Sequence, residues 1–141
     1  MSTETNKATV RRYFEQILNN QRHDLVEEFL AETIELHGTG LAPGLKAVKQ
    51  WLTMFAAAFP DGHHTIDDVV AEEDRVVART TFNGTHQGEM QGIPATGKRV
   101  SSSPTITIFR LDNGKIAEGW LVSDNLGFMQ QLGVIPTPQE N

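Results

Sequence analysis

Cysteine is absent from the 141 residues, which excludes disulfides, a thiolate nucleophile and a zinc–thiolate site. Basic residues are scarce, 12 Lys and Arg against 18 Asp and Glu, for a net charge of -6. Phosphate-backbone recognition needs the opposite balance, so no nucleic acid is expected as a partner. No apolar run is long enough to cross a bilayer, and the amino terminus, MSTETNKATVRRYF, lacks a basic segment leading into an apolar one. No membrane association is therefore expected, and a cytoplasmic location is. Motifs of familiar chemistry are missing too. Gly97-Lys98 is followed by Arg99 and a strand, not by Ser or Thr opening a helix, so there is no phosphate loop. No Gly-x-Ser-x-Gly elbow occurs, and Ser101-Ser102-Ser103 has no paired base. His63-His64 follows Asp61-Gly62 in a turn without further ligand spacing, so it is read as solvated and no metal is expected.

What is present suffices for one core: 38% of residues are hydrophobic, and the length suits a single domain, 1–141, with 1–5 and 136–141 as loose ends. Thr5 or Asn6 can cap a first helix carrying Val10, Tyr13, Phe14, Ile17 and Leu18 on one stripe, ended by Asn19-Asn20. Asp24 can cap a shorter helix with Leu25, Val26, Phe29 and Leu30, and Thr33 to His37 alternates as a strand. After Pro43-Gly44, the residues Leu45, Val48, Trp51, Leu52, Phe55 and Phe59 recur at helical spacing until Phe59-Pro60-Asp61-Gly62 stops them. The texture then turns β: His64–Ala71 and Arg75–His86 around an acidic turn, a Gly-rich loop 84–98, Val100–Leu111, and Gly114–Asp124 leading into a short helix. Helices followed by long antiparallel strands predict an α+β fold, a cone-shaped barrel in which a curved sheet wraps over the helices.

Asn113-Gly114-Lys115-Ile116, Trp120, Asp124 and Gln131-Leu132-Gly133, with Gly84-Thr85-His86-x-Gly88 and Gly92-Ile93-Pro94-x-Thr96-Gly97-Lys98, resemble the SnoaL-like polyketide cyclase, or ester cyclase, family. The likeness runs from about Val10 to Gly133. That family belongs to the nuclear-transport-factor-two-like superfamily of cone-shaped α+β barrels. The resemblance implies an aldol-type ring closure on a polycyclic aromatic polyketide ester, with no cofactor and with an aspartate as general acid/base. Such chemistry needs a carboxylate in an apolar cavity and donors for the enolate oxygen. The family's aspartate, and the His two residues before it, fall on Leu121 and Gly119; its polar positions on the preceding strand fall on Thr105 and Thr107. A three-residue Asp112-Asn113-Gly114 loop pairs Thr107 with Gly119 and Thr105 with Leu121, all facing the pocket. A two-residue Asn113-Gly114 turn would aim Glu118, Trp120 and Val122 inward instead.

Three residues are candidates for the displaced chemistry. His37 ends a strand before a Gly-rich turn, as a donor at the pocket mouth or as a structural His. Arg79 lies in an apolar strand, where it either clamps a carboxylate or polarises a carbonyl from inside, or pairs outside with an acid. Asp124 is either a displaced base or the cap of the last helix. Tyr13, Trp51, Phe55 and Phe59 are candidate ligand contacts or plain core. His86 is expected to fix the Gly-rich loop. The far side of the strands carries Ile106, Ile108, Trp120 and Val122, too apolar for water, so a homodimer or higher oligomer through this face is expected, with a loop or the tail as the other possible cover. Two functions stay open: a cofactor-free cyclase or isomerase acting on an apolar carbonyl compound, and a protein that binds a small hydrophobic ligand.

Overall fold

A computed structural model describes residues 2–138. Helix α1 (Thr3–Arg12) starts earlier than Thr5, because the Ser2 hydroxyl accepts the Thr5 N–H at 3.1 Å. The expected loose start at 1–5 is therefore helical from Thr3. From Tyr13 to Asn19 the helix widens into a π-helix, a form that recurs at functional sites. Asp24 does not cap a helix; it lies in a 3₁₀ turn (His23–Leu25), bound by Arg22 Nε at 3.1 Å. Helix α2 (Val26–Phe29) is one turn long, and β1 (Leu30–His37) begins three residues before the expected Thr33. Helix α3 (Leu45–Ala58) buries Leu45, Val48 and Leu52. Four strands follow: β2 (His63–Glu72), β3 (Arg75–Thr85), β4 (Arg99–Asp112) and β5 (Lys115–Ser123). Helix α4 (Asn125–Gln131) ends the described elements. Residues 136–138 carry no regular structure, and the rest of the expected loose tail, 139–141, lies outside the described residues.

The strands form one sheet in the order β1-β5-β4-β3-β2, with β1 parallel to β5 and the other pairs antiparallel. Its concave face packs on the helices through Val10, Ile17, Phe29, Val48, Val76 and Ile116, all under 3% exposed. A second cluster around Phe59, Phe82, Met90, Val100 and Leu132 closes the other end. This is the cone-shaped α+β fold. Among the described residues no helix is long and apolar enough to cross a membrane.

The β4–β5 hairpin departs from the expected pairing. Its turn has two residues, Asn113 (φ 50°) and Gly114 (φ 79°), with Asp112 opposite Lys115. Both positive φ values suit the primed turn that matches strand twist. Leu111 faces Ile116 but Arg110 faces Glu118, so Ala117 is a one-residue bulge. The bulge reverses the parity set by the turn. Thr107 pairs with Leu121 rather than Gly119, and Thr105 with Ser123 rather than Leu121. Before the bulge Ile116 faces inward; beyond it Gly119, Leu121 and Ser123 do, and Glu118, Trp120 and Val122 face outward.

Candidate functional site

Between the concave face and the helices lies a cavity of about 470 Å³. One wall is aromatic: Tyr13 and Phe14 from the π-helix, Trp51 and Phe55 from α3, Phe82 from β3 and Phe109 from β4. Trp51 and Phe55, one helical turn apart, stack with ring centroids 5.0 Å apart and planes 17° apart. The facing wall carries the hydroxyls of Thr80, Ser103, Thr105, Thr107 and Ser123 beside Leu121. Thr105 Oγ1 and Ser123 Oγ share a hydrogen bond of 2.8 Å, as their cross-strand pairing requires. The mouth is bounded by Thr39 and Leu41 after β1, Gln91 in the Gly-rich loop, and Asp124, Asn125 and Met129 at α4.

Of the candidate contacts, Tyr13, Trp51, Phe55, Thr105, Thr107 and Leu121 line this cavity. Phe59 does not: it is 1% exposed, packed between Phe82 and Phe128 and stacked on His86. Gly119 faces inward but is covered, since a Cβ there would lie 3.0 Å from Leu36 Cδ2. The room a larger side chain would need on β5 is filled by Leu36 from β1.

The three catalytic candidates separate. His37 stands on the outer face, not at the mouth, because strand alternation turns its neighbour Leu36 toward the cavity. Its Nε2 lies 2.6 Å from Glu118 Oε2, and its ring stacks on Trp120 at 5.4 Å. Glu118 also accepts from Arg110 Nε at 3.1 Å. Hydrogen bonds from His37 and then Arg110 hold the Glu118 carboxyl below its ordinary range. Glu35, His37 and Glu118 are the one group among the described residues whose ligand atoms converge as a metal site would, but Arg110 already neutralises Glu118. Arg79 is outward as well, with Nη2 at 2.6 Å and Nε at 2.7 Å from Asp68 Oδ2. It clamps nothing in the cavity. Asp124 reaches the mouth, where its Oδ1 accepts the Gly127 N–H at 2.9 Å and caps α4.

The residue misread from the sequence is His64. It is not solvated. Its ring enters the cavity, stacks on Phe82 at 4.9 Å with planes 20° apart, and lies 6.1 Å from Phe14 and 6.3 Å from Phe55. Burial, with a smaller contribution from His63, pushes its pKa down to about 4. At neutral pH it is an uncharged imidazole with one N–H donor and one lone pair. Burial likewise pushes the Tyr13 phenol far up, so it too is a neutral donor. The readable signal was period two: His64 shares parity with Ile66, and both turn in where His63 and Thr65 turn out. His86 does fix the Gly-rich loop, its Nδ1 accepting the Thr96 N–H at 3.2 Å.

The family model for SnoaL-like polyketide cyclase matches residues 8–132. The chain belongs to that family. Among its relatives are the aklanonic acid methyl ester cyclases DauD of Streptomyces sp. (strain C5) and DnrD of Streptomyces peucetius. DauD is 31% identical over 136 residues, 92% of this chain and 83% of the relative. DnrD is 32% identical over 137 residues, 92% of each. The solved structure of TsrD from Streptomyces laurentii superimposes with a TM-score of 0.86 at 27% identity, covering 96% of this chain and 99% of that one. IdmH from Streptomyces antibioticus does so at 0.77 and 30% identity, covering 92% and 99%.

Proposed function

We propose that the cavity performs cofactor-free proton transfer, as an aldol-type ring closure or an isomerisation, on an apolar polycyclic carbonyl compound. The observation that carries this reading is the His64 imidazole, stacked on Phe82 inside a space lined mainly by aromatic rings, aliphatic side chains and hydroxyls. Leu121 and Gly119 stand where the family's Asp and His are expected, so no carboxylate faces the reacting centre from β5. His64 supplies what they do not. Its lone pair accepts a proton from carbon next to a carbonyl, and the resulting imidazolium is held by the enolate formed beside it. In a space poor in water that attraction offsets the desolvation that otherwise keeps His64 neutral. In this reading the Thr107 and Tyr13 hydroxyls, which line the same cavity, donate to the enolate oxygen.

The first compound to test is aklanonic acid methyl ester, named for the relatives DauD and DnrD. Ring closure followed by chromatography is expected with the wild type. His64→Gln, which keeps a donor but is no base, is expected to lower the rate about 10²-fold or more. A His64→Gln variant as fast as wild type ends the reading. Tight binding without turnover in either protein moves the balance to a ligand-binding protein, which the Leu121 and Gly119 positions favour.

We also infer that a second copy of the chain covers the outer sheet face. Across all five strands run Val70, Val77, Ile108, Trp120 and His37, each opposite the next. Ile106 is 48% exposed and Val122 75%. The adjacent row, Glu72, Arg75, Arg110, Glu118 and Glu35, carries both signs of charge, as a self-complementary interface needs.

A further inference from the structure

His64 lies on an edge strand, two residues past the Asp61-Gly62 turn, where a strand end is least constrained. One side of it is fixed by the Phe82 stack. The other is fixed from a distance of 45 residues: Asn19 Oδ1 accepts the His64 N–H at 2.7 Å, and Asn19 Nδ2 donates to the His64 carbonyl at 2.9 Å. The carboxamide thus repeats on the open edge the paired bonds that a sixth strand would make. We propose that Asn19 is a positioning residue for His64, delivered to the edge of β2 by the π-helix and setting the aim of the imidazole in the cavity.

The winding is what makes this possible. The Asn20 N–H bonds the Glu15 carbonyl, five residues back, at 2.9 Å. Winding of that pitch brings residues five apart toward one side, so Phe14 and Asn19 both turn to His64. α-Helical winding, at 100° per residue, would carry Asn19 most of the way to the opposite side of the helix from Phe14. The helix thereby supplies a wall of the cavity from Tyr13, Phe14 and Leu18 and the clamp on its titrating group from Asn19. The other titratable groups facing the spaces that His64 lines are Tyr13 and Asp124 in the cavity and His23 in a smaller pocket, with His63 next to it on its own strand.

This inference rests on the proposed chemistry of His64, and its test has a readout that does not. In ligand-free protein the His64 ring, assigned by its loss in His64→Gln, is titrated by NMR in the wild type, Asn19→Ala and Asn19→Ser. The clamp predicts that Asn19→Ala moves the midpoint up by about a unit or more toward the ordinary His value and weakens ring contacts to Phe82. Asn19→Ser, whose hydroxyl is too short to span to the strand edge but keeps a polar side chain there, guards against an alanine variant that fails to fold and is expected to move the ring as alanine does. With aklanonic acid methyl ester, kcat is expected to fall about tenfold while KM stays within about twofold. An unmoved His64 ring in the folded variants overturns the inference whatever His64→Gln does. A ring that moves while His64→Gln stays fully active overturns the proposed chemistry, and Asn19's part in it.

Discussion

His64 shows how a single side chain changes character with the space around it. Next to a turn and beside a second His, it carries the local signs of a solvated residue. The alternation with Ile66 says otherwise, but two residues of alternation at a strand start are a weak pattern beside Pro60-Asp61-Gly62. Arg79 and His37 were ambiguous for the same reason: strand parity decides inside from outside, and parity depends on bulges such as Asp67, which lies between the Ile66–Thr80 and Asp68–Arg79 pairs. Burial of His64 has a consequence for stability. The unfolded chain protonates this residue near its ordinary value of 6.5, whereas the folded chain resists until about 4. Stability from this group is therefore complete above pH 6.5 and is lost progressively as pH falls toward 4, about 3 kcal/mol over the whole window. His64→Phe keeps the stack on Phe82 and removes the proton site. Urea unfolding at pH 7 and pH 4 is expected to show a smaller acid loss in this variant than in wild type by about that amount. Equal losses would mean that the ring takes up its proton in the folded state.

At the scale of elements, the amphipathic stripes of α1 and α3 and the strand texture were plain in the sequence, because each repeats its period over three turns or more. What escaped was the bulge at Ala117. A small residue with no turn signal gives no local mark, and only the need to bury Ile116, Gly119 and Leu121 on one side and leave Val122 outside selects it. Helix α4 depends on an equally local device. It contributes Phe128 and Met129 to the cavity and is only seven residues long, too short to hold itself without help. Asp124 supplies that help through the Gly127 N–H. Asp124→Ala is expected to cost about 1 kcal/mol and to weaken binding of an aromatic ligand, while Asp124→Ser, which still caps, restores both. Titration calorimetry with thermal melts decides it. If serine rescues the melt but not turnover, Asp124 is a reacting group as well as a cap.

For the whole molecule, the sheet has two working faces, and the register that gives the cavity its hydroxyl wall also gives the outer face its apolar row. Ile108 is the centre of that row, between Val77 and Trp120, and is 38% exposed in the single chain. Arg75 covers part of Trp120, with its guanidinium carbon 4.9 Å from the ring centroid, so the row is only partly shielded by its own charges. In a two-fold assembly each substitution acts twice. Burying a fully exposed Ile is worth about 1.5–3 kcal/mol; Ile108 is only 38% exposed, so a partner adds about 1 kcal/mol per side and Ile108→Glu removes roughly 1–2 kcal/mol per dimer before the cost of two buried carboxylates. Sedimentation is expected to give a dimer for the wild type and a monomer for Ile108→Glu at the same concentration. The His64 titration should be unaltered, since the cavity lies on the other side of the sheet. A wild type that sediments as a monomer, or an Ile108→Glu variant that stays dimeric, would show that the row Val70 to His37 is covered by something other than its own copy.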